Sequence, residues 1–189
     1  RNQDFVRSNM QFQELLSRDD QEKWFDQLDQ DKNVYWVIHF HDYPIGLIHI
    51  KDINLNDLTG EAGIFIGEPS YLEMPQPMLA ILFMMELAFE VFGLKTLKAK
   101  IRSGNEHATR FNIQLGYQLE DGQPEGFQYY VVNQLQFECA TKKLRTSAKK
   151  MFGDETGVSK ANTQHYSQVN LQDLLNGGFP QFKPYALTD

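Results

Sequence analysis

The run "GIFIGEPSYLEMPQPMLAILFMMELAFEVFGL", Gly63 to Leu94, limits most strongly what this chain can become. It reads as a strand, a short connection and a helix from Met78 to Phe92 that is apolar on nearly every side. A helix without a polar face cannot lie on a surface, so the rest of the chain must wrap it. It is too short to span a bilayer and carries Glu86 and Glu90, which makes it a buried core helix and argues against a membrane partner. The chain can supply the wrapping, since 41% of its 189 residues are hydrophobic and 13% aromatic. That length fits one domain with an appended element.

The flanking segments read as alternating strands and helices. "NVYWVIHF" and "IGLIHIKDI" form a hairpin around "HDYP", and "NLNDLTG" leads into the strand "EAGIFIG". Gly93 closes the long helix, and "LKTLKAKI" alternates apolar and basic residues, as a strand with one face in the core does. "NEHATRFNIQL" is a short helix ending at Gly116, followed by strands "YQLE" and "FQYYVVNQLQF" around the turn "DGQPEG". Ahead of all these, Phe5, Phe12, Leu15 and Leu16, then Trp24, Phe25 and Leu28, fall at helical spacing. They predict two helices, the second starting near Ser17 to Asp20, where Ser and Asp can cap it. The order implies a mixed α/β sheet.

After Phe137 the pattern changes. "ECATKKLRTSAKKMFG" predicts a basic helix, "DETGVSKANTQHYSQ" a polar loop, and "VNLQDLLNGGFPQFKPYALTD" a short helix with a Pro-containing tail. A boundary near Glu138 divides the chain into 1–137 and 138–189, and the long tail makes a homodimer plausible. The net charge of −7 argues against nucleic acid as a partner. The single cysteine, Cys139, has no internal partner, which agrees with a reducing, cytoplasmic setting. No signal peptide is visible.

The element order and several local phrases resemble the GNAT superfamily of acyl-coenzyme A-dependent N-acyltransferases, from the start to about Phe137. "RNQDFVRSNM" with "QEKWFDQL" resembles the branch that acetylates amino sugars on nucleotide carriers. "PIGLIHIKDIN…GEAGIFIGEPSY" and "LAFEVFGLKTLKAKIRSGNEHATRFNIQLGYQ" resemble that branch and the ribosomal-protein alanine acetyltransferases. Asn105, Ala108, Phe111 and the Gly116-Tyr117 pair stand at family spacing. The resemblance implies an α/β fold with a mainly antiparallel central sheet, splayed central strands and flanking helices. In that family another strand precedes the opening helices. The chain starts at Arg1 rather than at a methionine, so that first strand is expected to be missing here.

The resemblance also implies acetyl-coenzyme A as cosubstrate, without a metal. Backbone groups around Phe65, Ile66 and Gly67 would hold the pantetheine arm and face the thioester oxygen. The pyrophosphate would lie at the start of the following helix. There the family's glycines coincide with Glu73 and Pro75, and proline has no N–H to offer. Met74, Gln76, Met78 and Leu79 remain as amide donors. Asn105 resembles the family's coenzyme-contacting asparagine, and equally reads as a helix cap. Asn112 stands where the family often has a tyrosine; its amide can hydrogen-bond near the coenzyme but cannot supply a proton.

Glu61, at the start of its strand, is the first candidate to deprotonate the amine; a solvated carboxylate is the plainer reading. His49 alternates with Ile48 and Ile50, so it points away from them, into an acceptor cleft or into water. His39 and His41 would share a strand face, but no third metal ligand stands at telling spacing. Lys95, Lys98, Lys100 and Arg102 read as a solvated face or as contacts to the 3′-phosphate. Lys142, Lys143, Arg145, Lys149 and Lys150 form a basic helical run, by default solvated, with nucleic acid or an anionic nucleotide carrier as the alternative ligand. Tyr129 and Tyr130 read as core, with stacking on a base or sugar as the alternative. The leading function is transfer of an acetyl group to a primary amine, favoured as that of a nucleotide-linked amino sugar. A protein N-terminal acetyltransferase and a non-catalytic module with a degenerate coenzyme site are the rivals.

Overall fold

The computed structural model describes residues 2–152 apart from 30 and 42, so the loop, short helix and tail expected beyond Gly153 lie outside the described residues. Two helices open the chain, α1 (Asp4–Arg7) and α2 (Arg18–Asp26). Then follow β1 (Val34–Phe40), β2 (Tyr43–Asn54), β3 (Thr59–Ile66), α3 (Pro75–Glu86), β4 (Thr96–Arg102), α4 (Glu106–Gln114), β5 (Gln118–Leu119), β6 (Phe127–Asn133) and α5 (Gln134–Phe152). The six strands form one sheet in the order β1-β2-β3-β4-β6-β5. Only β3 and β4 are parallel neighbours. This is the mixed, mainly antiparallel sheet that the element order implied.

The apolar helix sits where the sequence demanded. Ile81, Leu82, Met84 and Met85 of α3 are buried, and so are Leu87, Ala88 and Phe89 of the π turn Leu87–Val91 that continues it. In that turn the Phe92 N–H reaches back five residues to the Leu87 C=O at 2.9 Å. The wider turn lets three consecutive side chains enter the core together. Gly93, with φ at +67°, then ends the helix. The helix starts at Pro75 rather than Met78, because proline fits a first turn whose N–H groups have no helical partner.

Two expectations change at the ends. Ser17 does cap α2, through a capping box in which its side chain and that of Asp20 each accept the other's backbone N–H. But α2 buries none of its residues; Trp24 and Phe25 remain 45% and 59% exposed. The segment lies as a roof over one face of the sheet, with Trp24 edge-on to Tyr35 at 5.4 Å. At the other end, the strand expected to run to Phe137 stops at Asn133. Asn133 and Gln136 exchange side-chain to backbone hydrogen bonds at 2.9 and 2.8 Å and start α5 there. The expected boundary near Glu138 therefore falls inside one helix of 19 residues. Its buried residues Phe137, Thr141 and Ala148 carry the core past that point.

Phe137 is 1% exposed and packs on Phe89 with ring centres 5.7 Å apart. Phe137→Ala should cost about 3–5 kcal/mol in urea unfolding, the range for truncating a buried aromatic side chain. Leu135→Ala, two residues earlier in the same helix and 69% exposed, should stay within about 0.5 kcal/mol of the parent.

Candidate active site

β3 and β4 stay paired for only three positions, Thr59 with Thr96, Gly60 with Leu97 and Glu61 with Lys98. Beyond them the strands part. The opening is a cleft of about 1170 Å³, walled by Ala62, Ile64 and Ile66 on one side and Ala99 and Ile101 on the other. Pro77 and Ile81 of α3 reach it from behind, Phe111 and Asn112 of α4 from one end, and Phe5 and Trp24 from the roof.

The register decides which main-chain groups face this gap. Gly67 N–H donates to the Ile45 C=O at 2.9 Å, toward β2. In an antiparallel pair the bonded residues alternate, and the β2–β3 register is regular from Gly46↔Ile66 to Lys51↔Glu61. Phe65, Gly63 and Glu61 therefore bond to β2, while the N–H and C=O groups of Ile66, Ile64 and Ala62 point to the parted side. Of the three backbone positions expected to hold a pantetheine arm, Ile66 turns its main-chain groups to the parted side. Phe65 and Gly67 do not, since their amides are spent inside the sheet, and Ile64 takes their place. A free strand edge of this kind fits an extended amide-bearing arm.

The start of α3 is less generous. Of its four uncommitted N–H positions, Pro75 and Pro77 have none, and Met74 N–H already donates to the Tyr71 C=O at 3.2 Å. Met78 and Leu79 stand past the first turn, where the helical ladder takes their amides. Gln76 alone keeps a main-chain N–H for an anion, helped by the helix dipole. Its side-chain Oε1 is buried without a partner. Met74 is 45% exposed and Met78 packs against the core.

The polar residues gather on the sheet face under the roof. Glu61 pairs with Lys51 across the strands, Nζ to Oε1 at 2.9 Å. Burial opposes the Lys51 charge, but the hydrogen bond and charge of Glu61, with Asp52 behind it, outweigh that and hold the ammonium above its usual range. His49 stands opposite Gly63 on one side and Tyr35 on the other, its ring tilted by 32° against the Tyr35 ring with centres 5.2 Å apart. A Cβ on residue 63 would lie 2.4 Å from His49 Cε1, so only glycine admits the ring there. His49 faces the cleft rather than open water. Its Nδ1 is buried without a hydrogen-bond partner, and burial, then the Lys51 charge, lowers its pKa to about 4.

The two asparagines serve local structure. Asn105 caps α4 by accepting the Ala108 N–H at 3.1 Å, and Asn112 donates its side-chain amide to the Ala108 C=O at 2.8 Å. Both still line the cleft. The main-chain carbonyl of Asn112 also accepts the Tyr117 N–H at 3.2 Å, in the turn that brings Tyr117 to the cleft. Tyr117 is a residue the sequence reading used only as a family marker. It is 4% exposed, and burial, then the Glu61 charge, raises its pKa, so the phenol keeps its proton. The signal for it was Gly116, at φ +95° and pressed against the Gln136 C=O, which marks a tight turn before a buried tyrosine.

Other expected features disperse. His41 lies in the hairpin turn at φ +46°, just past a bulge at Ile38/His39, so strand spacing does not carry from His39 to His41. No group of three metal-ligating side chains occurs among the described residues. Lys95 and Lys98 are exposed. Lys100 lies in the cleft wall above the Tyr129 and Phe127 rings, and Tyr130, on the opposite face, is buried in the core. No described helix is long and apolar enough to cross a membrane.

Because His49 is held neutral in the fold while its unfolded pKa is about 6.5, the unfolded chain binds more protons between pH 6.5 and about 4. Stability from this residue is complete above 6.5 and is lost as the pH falls through that window, by about 3 kcal/mol over its full width. Urea unfolding from pH 7 to pH 4.5 should show this slope, and His49→Phe should flatten it.

Residues 1–118 match the acetyltransferase (GNAT) domain family. No curated protein sequence is significantly similar to the chain. Among solved structures, spermidine N-acetyltransferase from Vibrio cholerae, in complex with CoA and spermine, superposes with a TM-score of 0.63 at 16% identity. That match covers 72% of this chain and 86% of the other. A domain from Methanocaldococcus jannaschii gives a TM-score of 0.61 at 19% identity, over 70% and 86% of the two chains. The N-acetyltransferase PseH from Campylobacter jejuni, in complex with acetyl coenzyme A, gives 0.52 at 22% identity, over 61% and 79%. At such identities the structures speak for the fold alone. The family match spans most of the described chain, including both sides of the parted strands, and it assigns the activity. The chain belongs to the acetyltransferase (GNAT) domain family and is an acetyl-CoA-dependent N-acetyltransferase of that type.

Proposed function

We propose that this enzyme acetylates the primary amine of a compact acceptor with hydroxyl and anionic groups, of the class of nucleotide-linked amino sugars. The observation that carries the reading is the character of the acceptor side of the cleft. It is roofed by the opening helices and presents Lys51 and Lys100 beside His49 and Glu61. The roof is tied down by Lys100 to Gln11 Oε1 and by Arg102 to the Ser8 C=O, both at 2.9 Å. A polyamine would meet two lysines, and the carboxylate nearest to His49's strand, Glu61, is already matched by Lys51. Sugar hydroxyls and a negatively charged carrier suit the same surface.

Acetyl-CoA, when bound, supplies the acetyl group as an activated thioester. The free edge of Ile64 and Ile66 is positioned for its arm, and the Gln76 N–H at the α3 start for its pyrophosphate. His49 is neutral at pH 7 and lines the cleft, so one of its ring nitrogens carries the lone pair that accepts the amine proton. Glu61, paired with Lys51, orients the amine and balances charge rather than taking the proton. Tyr117 holds a proton at its Oη for the departing sulfur, the part Asn112 cannot play.

Thiol release measured with nucleotide-linked amino sugars, spermidine and N-terminal peptides tests the acceptor. Turnover with the amino sugars is expected, and turnover confined to spermidine or peptides would sink the proposal. His49→Gln should lower kcat by about 10²–10⁴, the range for losing a general base, with Glu61→Gln milder. Gly63→Ala, which displaces the His49 ring, should lower kcat by at least about tenfold while the coenzyme affinity holds. An acid limb near pH 6.5 in the wild-type kcat profile would count against a neutral His49, whose own limb belongs near pH 4.

A further inference from the structure

The active-site cleft does not end at the roof. A second cavity of about 610 Å³ adjoins it, between the α1–α2 connection and the β5–β6 turn, lined by Arg102, Ser103, Gly126 and Glu14 among others. The two spaces share Gln11, Phe12 and Phe127 as a common wall. At that junction stand two cations from one strand. Lys100 Nζ lies 4.7 Å from the centre of the Phe127 ring and 5.6 Å from that of Tyr129. Arg102 stands two residues along β4, on the same face, about 6.6 Å away. Each is bonded only to a neutral oxygen, Lys100 to Gln11 and Arg102 to the Ser8 main chain. Neither has a carboxylate partner among the described residues, in a chain whose net charge is −7. Two uncompensated cations beside the half-buried Phe127 ring and the exposed Phe12 ring, at the mouth of a cavity, describe a receptor for an anion with a flat ring attached.

We propose that this side cavity binds the diphosphate and base of the acceptor, with phosphate oxygens between Lys100 and Arg102 and the base against Phe127 and Phe12. Glu14, on the outer wall, repels phosphate and suits ribose hydroxyls, which sets the direction: phosphates inward on β4, nucleoside outward. Lys100 and Arg102 are then specificity-determining residues, and they exchange their neutral partners in the roof for charged ones when the acceptor arrives. The inference deepens the amino-sugar reading and rests on it for the amine end alone.

The probe is uridine diphosphate, titrated calorimetrically into the full chain saturated with coenzyme A, so that the coenzyme site is filled; inorganic pyrophosphate is titrated in parallel. Uridine diphosphate should bind, and more tightly than pyrophosphate. Lys100→Ala and Arg102→Ala should each weaken it about tenfold, with Lys100→Arg restoring most of the loss. Phe127→Ala should weaken the nucleotide and leave pyrophosphate unchanged. Gln11→Ala separates a charge from a tether: it releases the Lys100 contact but keeps the cation, so nucleotide binding should persist. Loss as large as in Lys100→Ala would mean that Lys100 serves only to hold the roof, and would overturn the site. Absence of binding at millimolar uridine diphosphate, or equal binding by parent and both alanine variants, overturns it as well. Thiol release with amino sugars but no nucleotide binding leaves the amino-sugar reading standing and removes this site. Nucleotide binding without turnover of any amino sugar does the reverse.

Discussion

The candidate site depends on two adjacent parallel strands letting go of each other. β3 and β4 share three residue pairs and then separate, which leaves the main-chain groups of Ala62, Ile64 and Ile66 without a neighbouring strand. Unpaired main-chain groups are costly when buried and are stabilised by any ligand that can complete the sheet. The same opening admits side chains from both faces, so in the proposed mechanism an arm pairing with the edge from one side meets an acceptor arriving from the other. Continuous pairing would leave an ordinary twisted sheet with no site.

Charge and burial on the roofed face follow from that opening. The Lys51–Glu61 pair bridges β2 and β3 beside the parting, half withdrawn from water. Next to it the His49 ring fills the space that Gly63 leaves, a contact any larger residue would deny. In the proposed mechanism, burial keeps the histidine neutral, so a ring lone pair is free at neutral pH, and burial keeps Tyr117 protonated, so it has a proton to give. One desolvated cleft thus pushes two groups toward opposite roles. The weak place is the α3 start, where two prolines leave one free N–H for a pyrophosphate; the neighbouring strand edge must contribute more of the binding.

Much of the fold was legible. Alternation in β1 through β4 and the unbroken apolar run of α3 dictated a sheet wrapped on a helix, and Ser17 and Gly93 marked the ends of helices where they occur. The errors have physical causes. "VVNQLQF" continues a strand pattern in apolar spacing, but Asn133 and Gln136 satisfy each other's backbone and turn it into a helix. That the amides of Phe65 and Gly67 face β2 was not legible, because the side-chain pattern of a strand does not say which edge its amides face. Tyr117 was passed over because nothing local distinguishes a tyrosine in the core from one at a cleft.

What the sequence determined by itself was the set of elements and the family they compose, since both follow from periodicity, caps and short-range spacing. The tertiary structure alone decided where β3 and β4 part, which amides that frees, and that His49, Lys51, Glu61 and Tyr117 share one desolvated space. Those are properties of strand register and of contacts between residues far apart in the chain. Neither is written in the order of residues along any one segment.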